Sequence, residues 1–216
     1  MVRAITTIVC SLLLLLSFSC SREDTGPQET IPGSGIVTFT AMTGQGETRS
    51  SQEGSFETGD AIGVFAIEPA TGVYWAVNNK YTYDGQKFKP EAEADNIIVT
   101  VGTDFDFYVY YPFKTGQTDI TGISHTAGNQ NEKAGWISAD FMTATYTDPI
   151  RDYTVPLNFK HRMSTVEVRI DRNDGVREAT MENVKRTSRF NLLTGGISTD
   201  ESKGNLSLIH ISEPTR

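Results

Sequence analysis

The sequence predicts an all-β protein, an antiparallel β-sandwich, and three observations lead to this prediction. Short segments in which apolar and polar residues alternate recur along the chain, which is the period of a half-buried strand. Turn-forming residues separate these segments, and glycine alone accounts for 19 of the 216 residues. Aromatic residues make up 10% of the chain, enough to fill a β core. Many short strands with turns between them are typical of a sandwich.

The first two predicted strands differ in how much of their surface is buried. Residues 36–41 place Val37, Phe39 and Ala41 on one face and threonine on the other, which is the pattern of a half-buried strand. Residues 61–67 follow a polar, glycine-rich loop and are largely apolar on both faces. This second segment is therefore predicted to lie in the interior of a sheet.

The next predicted strands are short and separated by turns. Two aromatic strands, residues 74–77 and 81–83, are divided by two asparagines. The pair Asp84-Gly85 then predicts a hairpin turn, because both residue types tolerate left-handed backbone conformations. Residues 96–101 predict a further strand with alternate aliphatic side chains on one face.

The clearest alternation in the chain lies in residues 104–111. The inward side chains predicted for this strand are Phe105, Phe107, Val109 and Tyr111. Residues 112–135 are rich in glycine, threonine and asparagine and predict a long loop.

Three more strands and one helix are predicted in the rest of the chain. The strands are residues 155–159, 166–170 and 190–193, the last being the final strand of the fold. Pro156 has no N–H group, so it directs the first of these strands toward a sheet edge or a bulge. Residues 176–184 are the only segment that predicts a short helix.

The amino terminus has the features of a secretory signal. Residues 1–19 combine a basic Arg3 with an apolar run that is too short to span a bilayer in the ordinary way. A small residue precedes Cys20, as at the cleavage site of a lipoprotein, and we therefore expect Cys20 to carry a lipid anchor. Cys10 is lost with the signal, so no disulfide is expected in the mature chain.

Residues 20–35 are predicted to be a flexible tether that leads to a globular domain of residues 36–205. The tether begins with an acidic cluster, Ser21, Arg22, Glu23 and Asp24.

The last residues of the chain have a different origin in this interpretation. Residues 206–216 resemble the translation of a transposase adapter used in sequencing libraries. This resemblance implies that the natural protein continues beyond Asn205 and that His210 and Glu213 have no biological role.

Charge and motifs disfavour several functions. The formal net charge is −8, and an acidic surface repels phosphates, so nucleic acid is not an expected partner. The chain has no phosphate loop, dinucleotide fingerprint or nucleophile elbow. His125, in a predicted loop, and His161, at a predicted strand end where backbone groups would satisfy it, lack zinc-ligand spacing. We expect no catalytic activity, cofactor or metal.

Two groups of residues leave other functions open. Asp104 and Asp106 project from one face of a predicted strand, as paired catalytic carboxylates or calcium ligands with Asp60 or Asp140 would. Aromatic side chains are also available to stack on sugar rings, namely Tyr74, Trp75, Tyr108, Tyr110 and Trp136. Side chains of this kind more often fill or cover the core of a sandwich.

Several segments, taken in order, resemble the fimbrillin-like (Mfa-like) surface lipoproteins of Bacteroides-type bacteria. They are Cys20, Thr48-Arg49-Ser50 and residues 56–65, 79–85, 106–112, 138–142, 155–164 and 190–195. The resemblance implies a transthyretin-like N-terminal sandwich of a two-domain protein, anchored in the outer membrane through Cys20. It also implies that the acidic cluster after Cys20 is a surface-export signal.

The resemblance further implies a mechanism of assembly into fimbriae. In polymerising members a trypsin-like protease cuts after an arginine in the early loop, and Arg49 matches this arginine. The first strand then leaves, and a strand of another subunit takes its place. The implied partners are other pilus subunits, with a host protein or glycan as the ligand of an adhesive member.

Two other functions remain as alternatives to this assembly. A surface lipoprotein that binds glycans without polymerising would present an exposed aromatic cluster. An enzyme such as a glycosidase would require two carboxylates that face each other across a cleft.

Overall fold

Strands dominate the part of the chain that the computed structural model describes, which is residues 33–43, 56–130, 133–164 and 178–210. In chain order the strands are β1 (Ser34–Ile36), β2 (Thr38–Thr43), β3 (Ala61–Glu68), β4 (Val73–Tyr83), β5 (Phe88–Pro90), β6 (Ile98–Thr100), β7 (Asp106–Tyr111), β8 (Ile123–Thr126), β9 (Met142–Tyr146), β10 (Thr154–His161), β11 (Glu178–Lys185), β12 (Thr187–Phe190), β13 (Ile197–Thr199) and β14 (Lys203–His210). A 3-10 turn (Glu93–Asp95) and a short helix α1 (Lys133–Ala139) interrupt them. The predicted all-β class is confirmed.

The main sheet of the described residues closes on itself in the order β10-β2-β5-β4-β3-β7-β9. Its pairs are antiparallel except for β2 and β10, which run parallel. The predicted sandwich is closed into a barrel, and this one parallel pair departs from its otherwise antiparallel pairing. Strands joined by a tight hairpin must be antiparallel, whereas β2 and β10 are separated by more than a hundred residues and either direction is open to them.

The barrel encloses the larger of two apolar cores. The inward set predicted for residues 104–111 is confirmed, since all four side chains are buried in this core. Their companions from the other strands include Val37, Phe39, Ile62, Val64, Tyr81, Phe88, Val155, Leu157 and Phe159.

A second core lies on the opposite face of β3 and β7. It is formed by Phe65, Tyr110, Ile120, Ile123, Phe141, Phe190 and Leu192. The sheet β13-β12-β8 supplies several of these side chains. Strand β3 is thus buried on both faces, as its sequence predicted, with Ile62 and Val64 in one core and Phe65 in the other.

The predicted hairpin after residue 83 is present, and its turn is stabilised by local hydrogen bonds. Tyr83 pairs with Phe88 across the turn. Gly85 has a φ of 100°, a conformation that glycine adopts without steric cost. The Asp84 carboxylate accepts hydrogen bonds from the backbone N–H groups of Gln86 and Lys87, each at 2.9 Å.

The two aromatic strands predicted on either side of Asn78 form the single strand β4. Asn78 has a φ of 58° and lies at an irregularity in the pairing with β3. Its side-chain amide donates to the Lys114 carbonyl at 2.9 Å and accepts from the Tyr110 hydroxyl at 2.7 Å. These contacts hold the left-handed residue in place, so the asparagine bends the strand and does not end it.

The helix predicted for residues 176–184 was wrong where the structure describes it, because residues from 178 onward belong to β11. Helix-forming residues are common in this segment, but β11 pairs with β14, and partner pairing overrides local propensity.

The loop predicted for residues 112–135 contains the strand β8 and the start of α1. The predicted final strand, residues 190–193, contributes only Phe190 to β12, and β13 and β14 follow it. The strand predicted for residues 166–170 lies outside the described residues.

Candidate functional site

The strand β2 is held mainly along one side. It forms six residue pairs with β10 in parallel register, from Thr38↔Thr154 to Thr43↔Phe159. On its other side, Phe39↔Phe88 is the one residue pair with β5 that the described residues show. The pairing along β10 therefore carries most of the main-chain attachment of this strand.

The inward side chains of β2 fill the barrel. Val37, just before the strand, and Phe39 are both 0% exposed, and Ala41 packs against the same core. The Phe39 ring makes edge-to-face contacts with Tyr81 and Phe107 at centroid distances of 5.1 Å and 5.3 Å. Removal of β2 would open a groove whose floor is aromatic and aliphatic.

The segment before β2 is attached by further main-chain bonds. The Val37 N–H donates to the Ile97 carbonyl at 2.9 Å, and the Thr38 N–H donates to the Tyr153 carbonyl at 2.7 Å. Strand β1 pairs with β6 in antiparallel register. Gly35 lies so close to the Tyr153 ring that an added Cβ atom would be 2.8 Å from it.

Strand β10 depends on β2 for most of its pairing. Its pairs with β9 are limited to Lys160 and His161, so within the part of the chain that the structure describes residues 154–159 pair only with β2. Pro156, which has no N–H group to donate, lies in this stretch, as predicted for a residue near a sheet edge. If β2 left, this part of β10 would become an open edge able to accept another strand.

Two of the aromatic residues considered for sugar binding are exposed on β4. Tyr74 and Trp75 are 45% and 55% exposed, and Trp75 packs edge-to-face on Phe105 at 5.1 Å. This half of β4 pairs with β3, whereas the pairs with β5 begin only at Tyr81.

The other aromatic candidates differ in where the structure places them. Tyr110 is fully buried in the second core, its hydroxyl donates to Asn78, and burial raises its pKa to about 12. Tyr108 is half-buried beside Asp106 and lies near Tyr74. The side chain of Trp136 lies outside the described residues.

The carboxylates considered for catalysis or calcium binding are engaged separately. Asp106 accepts from the Tyr108 hydroxyl at 3.4 Å, and Asp60 accepts from the Tyr111 hydroxyl at 3.1 Å. Asp140 contacts His161 at 2.8 Å. Within the described residues no group of three or more histidine, cysteine or acidic side chains is placed to hold a metal ion.

Both histidine predictions require correction. His125 belongs to β8, where it is 0% exposed, and does not lie in a polar loop. Its Nε2 atom is 3.1 Å from the Ala139 carbonyl, and its ring packs on Phe141 at 5.0 Å. Burial, assisted by the charge of Lys114, lowers its pKa to about 4. His161 contacts a carboxylate, that of Asp140, and not a backbone group.

The predicted processing and anchoring residues cannot be placed in this geometry. Cys20, Ser21, Arg22, Glu23, Asp24 and Arg49 all lie outside the described residues. Among the helices that the structure does describe, none has both the length and the apolar character needed to cross a membrane.

One polar surface was missed in the sequence. Asn158 and Lys160 lie on the outer face of β10, Arg162 follows the end of the strand, and all three border a groove. Their spacing of two residues was the available signal, but the loop that forms the other wall comes from residues about thirty positions later.

Comparison with known proteins gives one family. The sequence profile of the family described as fimbrillin-like matches residues 48–213. A relative from Bacteroides ovatus, provisionally named fimbrium tip subunit Fim1C, is 28% identical over 190 residues, which covers 74% of this chain and 34% of the relative. The chain thus spans about a third of the length of this relative.

Solved structures share the fold. A protein from Bacteroides ovatus, provisionally named a cell adhesion protein, superposes with a TM-score of 0.59 at 19% identity, covering 84% of this chain and 74% of that one. A protein from Bacteroides uniformis with the same provisional name gives a TM-score of 0.56 at 19% identity, covering 82% and 70%.

Proposed function

Since the chain belongs to the fimbrillin-like family, we propose that it is a non-enzymatic fimbrial subunit or adhesin of the cell surface that assembles by donor-strand exchange. In this proposal a protease cuts after Arg49, the segment with β1 and β2 leaves, and a strand of another subunit fills the groove. The names of the Bacteroides ovatus relative and of the structural neighbours support a fimbrial or adhesive role.

The observation that carries the proposal is the attachment of β2. The strand ends at Thr43, six residues before Arg49 in the sequence, and it pairs mainly with β10. Phe39 of the strand and Val37 just before it are inserted completely into the barrel. Burying side chains of this kind stabilises a fold by roughly 1.5–3 kcal/mol each. An open groove of this composition would be unstable in water, which favours its refilling by an apolar strand.

We also propose the chain organisation that this function requires. Residues 1–19 act as a lipoprotein signal, Cys20 carries the lipid, and residues 20–35 connect it to the domain on the outer face of the outer membrane. Replacing Cys20 with serine is expected to abolish labelling of the protein by a fatty-acid analogue. Replacing both Glu23 and Asp24 with alanine is expected to remove its sensitivity to protease added outside the cell.

We also propose that residues 206–216 derive from an adapter, and this origin can be tested by sequencing the gene. Residues 206–210 form part of β14, and the family match extends to residue 213. If the adapter resemblance is right in spite of these two observations, amplification of the locus from genomic DNA will show different codons after Asn205. Finding the same eleven codons would refute the adapter origin and leave the assembly mechanism unaffected.

Limited trypsin digestion followed by strand replacement tests the assembly mechanism. Wild-type protein is expected to be cut after Arg49 and then to take up a fluorescent peptide of residues 34–43. The Arg49→Gln protein is expected to remain uncut at this position and to exclude the peptide.

A peptide that carries Phe39→Ala is the matched control, because it retains the main-chain pairing and loses the largest inward side chain. It should bind the cut protein much more weakly. Failure of the cut wild-type protein to bind the unmodified peptide would contradict strand exchange, as would retention of residues 34–43 in assembled surface material.

The exposed pair Tyr74 and Trp75 supports a second candidate function, a surface lipoprotein that binds glycans without polymerising. This function predicts that uncut protein binds neutral polysaccharide and that Trp75→Ala removes the binding. The assembly proposal predicts no effect of Trp75→Ala on uptake of the peptide.

A further inference from the structure

A polar groove of about 300 Å³ lies on the outer surface of β9 and β10. Thr143, Thr145, Asn158 and Lys160 form its floor, and residues 191–195, the loop that follows β12, form its wall. The pairing of Lys160 with Thr143 places their side chains on the same face of the sheet. Both strands thus direct polar groups into one concavity.

The charge of this groove is opposite to that of the protein. Lys160 is exposed, and Arg162 borders the same groove. None of the lining residues that the structure describes is acidic, although the chain has a net charge of −8. Two cations with no carboxylate among the described residues that line the groove leave a local site for an anion.

Arg162 is positioned by the wall of the groove. Its Nη2 atom donates to the Gly195 carbonyl, while its Nε atom is buried and has no acceptor in the described residues. A guanidinium has five N–H donors, so the contact with Gly195 holds the group in place before any ligand arrives and leaves its other terminal N–H groups beside the groove. Arginine suits a carboxylate because its donors match the planar shape of that group.

The remaining lining groups favour a sugar over a peptide as the carrier of the anion. The threonine and asparagine side chains of the floor offer both donors and acceptors, as neighbouring sugar hydroxyls require. Leu193 is 41% exposed and provides an apolar surface for the C–H face of a ring. An extended peptide would add to an open strand edge, but next to the cations of the groove Lys160 of β10 is already paired with Thr143 of β9.

We propose that this groove binds the carboxylate of an acidic sugar, with Lys160 and Arg162 contacting the anion and the floor contacting the hydroxyls. The inference goes beyond the proposed assembly, because binding here requires neither the cut after Arg49 nor the departure of β2. The site is also separate from the exposed aromatic pair on β4.

Titration of the uncut, isotope-labelled full chain with glucuronate, followed by amide chemical shifts in NMR spectra, tests the proposal. Shifts are expected at Thr143, Asn158 and Asn191, with a dissociation constant of about 1 mM, the range of a single sugar ring. Lys160→Gln is expected to weaken binding about tenfold, equivalent to 1.4 kcal/mol. Because Lys160 is exposed, this variant should fold normally.

Arg162→Gln provides a second variant, and Lys89→Gln is the matched control because it removes an exposed lysine from β5, where it pairs with Asp84. Three outcomes would overturn the proposal. They are absence of shifts at about 20 mM glucuronate, equal binding of glucose or of acetate, and tighter binding of a tetraglutamate peptide. Each can occur whether or not peptide 34–43 enters the cut protein, so failure here and failure of strand exchange are distinguishable.

Discussion

Replacing Phe39 with alanine should destabilise the uncut protein severely. The ring is 0% exposed and contacts Tyr81 and Phe107. The lost transfer free energy and the cavity together give about 3–5 kcal/mol for a buried phenylalanine. With a denaturant dependence of about 2 kcal/mol per M for a domain of this size, the urea midpoint should fall by roughly 1.5–2.5 M.

Equilibrium unfolding in urea, followed by tryptophan fluorescence and by circular dichroism, measures this loss. Thr40→Ala is the matched control, because Thr40 lies on the opposite face of the same strand and should change stability by less than about 0.5 kcal/mol. A loss below about 1 kcal/mol for Phe39→Ala would refute the packing of β2 described above. In cut protein whose groove holds a wild-type peptide of residues 34–43, the substitution should have no effect.

Three further predictions concern the second core and its neighbours. His125 has a folded pKa of about 4 against 6.5 when unfolded, so its contribution to stability is complete above pH 6.5 and falls by roughly 3 kcal/mol as pH drops toward 4. The free energy of unfolding, measured with urea at a series of pH values, should depend less steeply on pH in His125→Phe than in the wild type. An unchanged pH dependence would contradict the burial of His125. Gly63→Ala places a Cβ atom 2.2 Å from the Tyr110 ring and should lower the free energy of unfolding, measured by thermal denaturation, by about 1–3 kcal/mol or more. Gly128→Ala is the control, because a Cβ atom there has nothing within 4 Å and stability should hardly change. Equal stability of the two variants would argue against the contact with Tyr110. Asn78→Ala should cost about 2–3 kcal/mol, since the Tyr110 hydroxyl loses the shorter of its two acceptor contacts and the left-handed conformation becomes strained. Asn78→Gly should recover the backbone part of that loss, and wild-type stability of the alanine variant would contradict the role of the amide.

The strands that could be predicted from sequence are those whose burial is encoded locally. In residues 104–111 every second side chain is apolar, so one face had to be buried whatever the partner strands were. The same reasoning identified Val37 and Phe39 as inward residues, which is the part of the candidate site that the sequence contained.

Features that depend on distant partners could not be predicted in this way. The parallel pairing of β2 with β10 joins segments over a hundred residues apart. The alternation of apolar and polar residues within each strand does not show whether two such strands run parallel or antiparallel. Strand β11 contains residues typical of a helix, and β14 determines its conformation. His125 was expected in water because its sequence neighbours are polar. In the structure its ring packs on Phe141, which in turn stacks on Phe190, and both phenylalanines lie outside β8.

The cationic groove was missed for the same reason. Lys160 and Arg162 are ordinary outward residues of a strand when they are considered alone. They border a concavity only because residues 191–195 fold beside them.

If a partner strand replaces β2 as proposed, the register of β2 on β10 also defines a search pattern for that partner. Its inward positions run from valine through phenylalanine to alanine in the direction of the chain, and a shift by one residue would turn threonines inward. A replacement segment should therefore carry three apolar residues at alternate positions, with the bulkiest in the middle and a small one last. Applied to the open reading frames beside the gene, this pattern would identify candidate donors from their terminal sequences alone. A donor segment with the small residue first and the large residues after it would imply that the strand inserts in the opposite direction.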